Sequence, residues 1–550
     1  MSLPALFVVL FAALAGVSQA AEPLSNSAPP PFRLPPVIAD RAITTVVAGA
    51  ITVERILFSG NEVIPTSDLA ELAAPYEGRS LSEAEIEELR QKLSRLYVSR
   101  GYINSGAVFA EPPLDGTTLR YRLVEGRLGE VRVHGQERLE EGYIVDRLKL
   151  ASDSALNVDL LRERFALLLS DPLFARMNAQ LSPGKVDDEA ALDINVVRAR
   201  SYQVEIVGNN HRPPSIGAES FGAKAWIRNL SGYGDLLEID LQAPHESGEI
   251  SAGGRSSLTW HMPLGNHGTA LSMHRERGQA SVLEEPLRSL NIESQLEGSD
   301  VGLSHCVFEN LRHKFSVGAT RAHRTNRTFL LGEPYSFVPG EPDGQTKVST
   351  WRLWQEFTYR SETQVLALRS TFSDSRNNLE DLQPLPAGSE IQPAHRARFW
   401  LGQFQYVRQL NDDGMQWLAR GALQRTGDRL LALDRISLGG VATVRGYREN
   451  QLVRDTGSAL SLEFVYPLLQ QSSGRLNASL VPFYDLGQGR NLDDVSARLE
   501  SAGLALRGRW QGLQWEIAVA KRLAHFTLPR VEQRTLQDRG IHIEIRYAVF

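Results

Sequence analysis

Cysteine is almost missing from this sequence. Cys306 is the only one in 550 residues, so the chain cannot close an intramolecular disulfide or supply the thiolate clusters of zinc and iron–sulfur sites. An excess of positive charge is also missing, because 59 Lys and Arg face 65 Asp and Glu for a formal net charge of −6. Proteins that neutralise a phosphate backbone carry a basic footprint. Disulfide scaffolds and cysteine–metal sites are excluded, and no nucleic-acid partner is expected.

Motifs of common catalytic sites are not found either. The sequence has no G-x-x-x-x-G-K-[ST] phosphate loop, no H-E-x-x-H and no G-x-S-x-G elbow. One histidine cluster fits no helical or hairpin ligand set and is interpreted as polar residues of strands or loops: His245, His261, His267 and His274. The sequence therefore predicts no enzyme, no metal site and no cofactor.

Long apolar runs are scarce. The run from Leu3 to Val17 is shorter than the ~20 residues that span a bilayer. It precedes Ser18-Gln19-Ala20, a small-x-small cleavage pattern, so residues 1–20 are predicted to be a signal peptide, although no Lys or Arg comes before the run. An uncleaved anchor is the alternative. No other stretch is long and apolar enough for a transmembrane helix, so a mature protein that crosses a membrane would do so as a closed barrel.

Residues 21–50 are rich in proline, with runs at 29–31 and 35–36. Such a composition favours an extended conformation. This segment is predicted to be a linker or the connection to a plug.

Two copies of one pattern follow, at 51–125 and 126–199. The first-strand positions of copy one correspond to those of copy two: Val53, Ile56, Phe58 and Gly60 match Leu128, Val131, Val133 and Gly135. In copy one a helix begins at Ser82, keeps apolar residues at helical spacing and stops at Gly101. Two strands close each copy, at 103–109 and 119–124 in the first and 174–181 and 192–197 in the second. The predicted order is β-α-α-β-β, twice.

Each copy should leave one edge of its sheet open. An open edge can accept an extended peptide as a further strand, through backbone hydrogen bonds that tolerate many sequences. The copies are thus candidate receptors for an unfolded protein, and the alternative is that they are spacers.

From residue 200 to 550 the helical periodicity gives way to alternation. Apolar residues alternate with charged or polar ones in segments such as 237–241, 460–466 and 541–547. Segments of about ten residues, separated by turns, are typical of outer-membrane barrels with lipid outside and a polar lumen inside. The length suits about sixteen strands, and twelve to eighteen would also fit. The fold class is therefore α+β modules followed by an all-β transmembrane barrel.

The chain ends on an aromatic residue, Phe550, shortly after Tyr547. Outer-membrane barrels commonly end this way for recognition by their assembly machinery, so Tyr547 and Phe550 are the candidate assembly signal. Phe550 is out of phase with the apolar face of the last strand, which a bulge would explain.

Two further segments of the barrel half are more specific than alternation. Residues 438–447 read Leu-Gly-Gly-Val-Ala-Thr-Val-Arg-Gly-Tyr, and residues 482–487 read Pro-Phe-Tyr-Asp-Leu-Gly. Together with the double β-α-α-β-β module, they resemble the two-partner secretion transporters, the haemolysin secretion/activation and filamentous-haemagglutinin transporter family. The resemblance covers nearly the whole mature chain. It implies periplasmic POTRA domains and a sixteen-stranded barrel. Residues 22–50 match the plug helix of that family weakly.

The resemblance also implies a site. The tip of a long loop folded into the lumen would be Val444, Arg445, Gly446 and Tyr447, and the barrel-wall motif would be Phe483, Asp485 and Gly487. Asp485 would accept the guanidinium of Arg445, because a planar guanidinium can bind a carboxylate through two hydrogen bonds at once.

The function that the resemblance implies is transport of a secreted exoprotein, of haemolysin or adhesin type, in unfolded form from the periplasm to the cell surface. The partners would be that exoprotein, outer-membrane lipid and the barrel-assembly machinery. One alternative is a factor that inserts other barrels into the outer membrane, although such factors usually carry more POTRA copies. A passive porin with periplasmic spacers is a third reading, and it would need no inserted Arg-Gly-Tyr loop.

Overall fold

The computed structural model describes residues 32–33, 50–149, 155–186, 188–246, 249–250, 254–285, 287–381, 392–470, 476–492, 494–524 and 534–549. The predicted signal peptide, most of the linker and Phe550 lie outside these residues. Within them, no helix has the length and apolar character needed to cross a membrane.

The N-terminal part consists of two α+β modules. Its helices are α1 (Thr66–Ala73), α2 (Glu83–Ser99), α3 (Gly142–Lys149) and α4 (Val158–Leu169). Its strands are β1 (Phe32–Arg33), β2 (Ile51–Val53), β3 (Arg55–Ser59), β4 (Arg79–Leu81), β5 (Gly106–Asp115), β6 (Thr118–Val124), β7 (Arg127–His134), β8 (Phe174–Pro183) and β9 (Glu189–Arg198).

The first module contains the sheet β3-β6-β5, in which β3 and β6 are parallel. Helix α2 starts where the sequence predicts, because Ser82 and Glu85 form a reciprocal capping box. Its residues Ile86, Leu89 and Leu93 are buried against the sheet. The spacing of these apolar residues therefore decides which face of the helix packs on the core.

Two predicted strands of this module have different bounds. The first one is interrupted at Glu54, whose backbone N–H donates to Thr117 O at 2.9 Å, so that β2 pairs with β4 while β3 pairs with β6. The strand expected at 103–109 begins only at Gly106, because Ser105 N–H closes a turn onto Tyr102 O. Alternation of apolar residues shows the direction of the chain but not which neighbour each strand pairs with.

The second module has the same order of elements, and its sheet is β1-β8-β9-β7. The additional strand corrects the expectation of an open edge. Phe32 and Arg33 pair in parallel with Ala179 and Gln180 of β8, so part of that edge is occupied by the chain's own N-terminal segment. The proline-rich composition of 21–50 gave no sign of this pairing.

The C-terminal part is a closed antiparallel barrel of sixteen strands, as predicted. Its strands are β10 (Tyr202–Asn209), β11 (Ser220–Arg228), β12 (Leu236–Glu246), β13 (Glu249–Ile250), β14 (Arg255–Pro263), β15 (Thr269–Ser281), β16 (Glu293–Glu309), β17 (His313–Leu330), β18 (Glu333–Pro334), β19 (Gln345–Arg360), β20 (Gln364–Asn377), β21 (Arg396–Gln409), β22 (Gln416–Thr426), β23 (Ile436–Leu438), β24 (Leu452–Arg454), β25 (Thr456–Gln470), β26 (Leu476–Arg490), β27 (Ala497–Trp510), β28 (Leu513–Arg522) and β29 (Ile541–Ala548). Strands β13 and β18 are short extensions of hairpins, and β23 and β24 form a separate ribbon.

Alternation along the strands separates the two faces of the wall. Leu462, Ile545 and Tyr547 are exposed on the outer face, whereas Ser461 and Glu463 are buried on the inner one. Connections at the end where β10 begins, the near end, are short, as at 511–512 and 361–363. Those at the far end are longer, and the longest runs from 427 to 455. A polar interior with one set of long loops is the arrangement expected for a transmembrane barrel.

Candidate functional site

The far-end connection 427–455 folds back into the barrel. Its base is fixed by the fully buried Asp455, which accepts hydrogen bonds from Arg435 Nε at 2.9 Å and from the backbone N–H groups of Leu430 and Leu492. Its tip contacts inward-facing residues of four wall strands, β25, β26, β28 and β29. The loop therefore occupies the interior of the barrel, as the resemblance implied.

Arg445 and Asp485 meet at this tip. Arg445 Nε and Nη2 donate to the two carboxylate oxygens of Asp485, both at 2.8 Å, and the backbone N–H of Arg445 adds a third bond at 3.0 Å. Both side chains are 0% exposed. The loop itself and the wall therefore exclude solvent from the pair. Burial makes the loss of either partner more costly than it would be in solvent.

Two partners of Arg445 were missed by reasoning from the sequence. Nη1 donates to Glu463 Oε1 at 2.8 Å, and Nη2 donates to Ser461 Oγ at 3.0 Å. Both belong to β25, where the only sequence signal was their place on the inward, polar face of an alternating strand. That signal marks a residue as facing the lumen but does not name its partner.

The charges around Arg445 balance. Glu463 also accepts from Arg507 Nη1 at 2.7 Å and lies 3.7 Å from Arg420 Nη2, and Arg507 binds Glu516 at 2.8 Å. Three arginines thus face three carboxylates, the third being Asp485. Because the network is neutral, the wall can hold a buried arginine without leaving an unpaired charge.

The other residues of the wall motif have steric and electronic roles. The guanidinium carbon of Arg445 lies 3.5 Å from the centre of the Phe483 ring, so the cation is stacked on an aromatic face. At Gly487, a Cβ atom would lie 2.7 Å from Val444 Cγ2. Glycine at this position leaves room for the loop tip to reach the wall.

The tip residues Gly446 and Tyr447 also form hydrogen bonds with the wall. Gly446 has φ +90°, where a side chain would be strained, and its N–H donates to His542 Nε2 at 3.0 Å. The hydroxyl of Tyr447 donates to Glu500 O at 3.0 Å. All seven residues predicted for the loop tip and wall therefore lie in one region of the lumen.

The remaining predicted site residues lie elsewhere. Tyr547 is half exposed on the outer face of β29, and Phe550 is outside the described residues. Of the histidine cluster, His274 lies on β15, where Nδ1 is 2.8 Å from Thr259 Oγ1. Among the described residues no group of His, Cys, Asp or Glu has a metal-binding arrangement.

Comparison with known proteins identifies the class. Residues 188–509 match the family described as haemolysin secretion/activation protein ShlB/FhaC/HecB, and residues 51–126 match the POTRA domain, ShlB-type. The chain belongs to this haemolysin secretion/activation family. It is an outer-membrane transporter for a secreted partner protein, with its POTRA region in the periplasm.

Individual relatives agree with this assignment. The sequence is 23% identical over 486 residues to the heme/hemopexin transporter protein HuxB of Haemophilus influenzae, covering 83% of this chain and 80% of the relative. The structure is similar to CdiB from Escherichia coli with a TM-score of 0.70 and 19% identity, covering 94% of both chains. BamA from Haemophilus ducreyi is also similar, with a TM-score of 0.51 and 14% identity over 91% of this chain and all of the BamA chain, which shows a shared fold. The alternative of a barrel-assembly factor is therefore the less supported one.

Proposed function

We propose that this transporter captures its partner in unfolded form on the periplasmic modules and passes it through the barrel, with the loop 427–455 as the movable element of the channel. The observation that carries the proposal is the network around Arg445. It fixes the loop tip inside the lumen through charged contacts and not through covalent or strand pairing. Such contacts are directional, yet they can be exchanged for others without unfolding the wall.

The first module offers the more accessible receptor edge. Its edge strand β5 pairs with no other described strand beyond β6. The backbone N–H and C=O of Ala107 are bonded to Ser94 Oγ and Arg90 Nη1 of helix α2, at 3.0 and 3.1 Å. An incoming strand would therefore pair from Phe109 onwards. In the second module, β1 already covers positions 179–180. We propose that this second module is a second POTRA domain.

A photo-crosslinking residue at exposed position Glu111 of β5 tests the receptor role. The expected result is a covalent adduct with the partner protein during secretion, whereas the same residue at exposed Glu71 of α1 gives none. Deletion of residues 51–125 should leave a heat-resistant barrel that secretes nothing. Normal secretion by that variant would make the modules spacers.

A reversible disulfide tests the role of the loop. Val444→Cys with Gly487→Cys, in a Cys306→Ser background, would place two sulfurs within bonding range, because a Cβ at 487 lies 2.7 Å from a γ atom of Val444. The oxidised protein should retain the barrel but stop secretion, and reduction should restore secretion to the level of Gly487→Cys alone, which the added Cβ already lowers. Undiminished secretion with the disulfide closed would refute movement of the loop tip. Val444→Cys alone and Gly487→Cys alone are the controls.

A further inference from the structure

The residue after the tip motif, Arg448, makes a second set of ion pairs that leads away from the wall. Its Nε and Nη2 donate to Asp538 Oδ1 and Oδ2 at 2.6 and 3.0 Å. Its Nη1 donates to both oxygens of Glu284, at 2.9 and 3.1 Å. All three donor nitrogens of the guanidinium are thus bound to carboxylates.

The two acceptors belong to different far-end connections. Glu284 lies between β15 and β16, and Asp538 lies between β28 and β29. In the barrel order, β29 and β15 are five strand steps apart around the closed wall. Arg448 therefore joins two loops that the wall itself does not bring together. Since the longer loops of outer-membrane barrels lie outside the cell, this joint bridges the outer mouth.

The surroundings of the joint show that it is built into the loop. Asp538 is held by the N–H and hydroxyl of Thr535, at 2.9 and 3.1 Å. Arg522 donates to the carbonyl oxygens of Gly446 and Asp538, at 2.5 and 2.8 Å. The side chains of Arg448 and Asp538 are only 8% and 3% exposed, so solvent does not replace these contacts freely.

We propose that Arg448, Glu284 and Asp538 form a clamp that holds the outer mouth closed while the transporter is idle. Arg448 is a positioning residue in this account: it acts by fixing two loops over the channel. The proposal rests on the transporter function described above, but it concerns the resting channel and can be tested without any partner protein. The wall network of Arg445 and Asp485 fixes the loop tip, and the clamp fixes the two far-end connections that carry Glu284 and Asp538.

The test is the conductance of the purified full-length protein in planar lipid bilayers, with no partner present. Arg448→Ala and Asp538→Asn should each raise the open fraction about tenfold, the order expected when charge-assisted hydrogen bonds are lost. Arg448→Lys should lie between these and the unmodified protein, because a lysine cannot bind two carboxylates through a planar fork. The double variant Arg448→Ala with Asp538→Asn should open no more than Arg448→Ala alone.

A control removes a more exposed ion pair at the same end of the barrel. Arg396 binds Asp374 across β20 and β21 through two hydrogen bonds, one of them at 2.9 Å from Nε, and none of the hydrogen bonds described for its side chain reaches the inserted loop. Arg396→Ala should leave conductance unchanged. Gel mobility before and after heating verifies that each barrel is folded, and Asp538→Asn keeps the shape of the side chain if larger changes prevent folding. Unchanged conductance of Asp538→Asn, an equal rise in the control, or additive effects in the double variant would overturn the clamp.

Discussion

Removal of Arg445 is the most informative perturbation of the wall network. Arg445 is the only described cation that binds Asp485 directly, through three hydrogen bonds. Arg445→Ala keeps the backbone bond but removes both guanidinium bonds, and leaves Asp485 a buried carboxylate without its bonded cation. Breaking a buried ion pair costs roughly 3–5 kcal/mol, equivalent to about two to three and a half powers of ten in an equilibrium constant. This cost falls on docking of the loop, because the hydrogen bonds of the wall remain.

The reciprocal change should be milder. In Asp485→Ala, Arg445 keeps Glu463 at 2.8 Å and Ser461 at 3.0 Å. In the double alanine variant, Arg420 and Arg507 face Glu463 and Glu516, so the network is neutral again. We expect secretion to be abolished or sharply reduced in both single variants, with Arg445→Ala at least as severe, and the double variant to be no worse. Arg445→Lys should rescue poorly, since it loses the two-point contact and the stacking on Phe483.

The assay is the amount of partner released per barrel in the outer membrane, together with channel conductance and resistance to heat. Arg369→Ala is the control, because Arg369 also pairs with a carboxylate, Glu356 at 3.0 Å, and lies 4.4 Å from the Trp354 ring centre, but on another part of the wall. The control should secrete normally. Additive effects of the two alanine substitutions, or a loss of heat resistance equal to the loss of secretion, would refute the reasoning.

Three further predictions concern other positions. Gly487→Ala should displace the loop tip and lower secretion, because its Cβ would meet a tip atom at 2.7 Å, while Gly427→Ala, which meets nothing within 4 Å, should not. Ser82→Ala should cost about 1 kcal/mol of helix stability, measured by faster hydrogen exchange in α2. In the other half of the capping box, the backbone N–H of Ser82 donates to the Glu85 carboxylate, and this bond is the main cause that lowers the pKa of Glu85. The stabilisation of α2 by this bond is therefore present at neutral pH and is lost as the pH falls through the lowered pKa. Removal of Phe550 should lower the amount of barrel in the membrane without changing transport per inserted molecule, and unchanged insertion would show that another signal is read.

Local patterns in the sequence were sufficient wherever one element decides its own structure. Helix α2 follows from its capping box and the spacing of Ile86, Leu89 and Leu93. The barrel wall follows from alternation, since neighbouring residues of a strand point to opposite faces. The pairing of Arg445 with Asp485 came from the resemblance to a family and not from periodicity.

The contacts that complete the site could not be predicted from local patterns in the sequence. Glu463, Glu284 and Asp538 are 18, 164 and 90 residues from their arginines in the sequence. The strand of Phe32 and Arg33 likewise pairs with residues far along the chain. The sequence by itself determined the modules, the alternating strands of the wall and the face to which most of their side chains point, because these depend on neighbours along the chain. Which charges meet was decided by the closure of the barrel and the insertion of the loop, because only tertiary structure brings distant inward-facing residues within hydrogen-bonding distance.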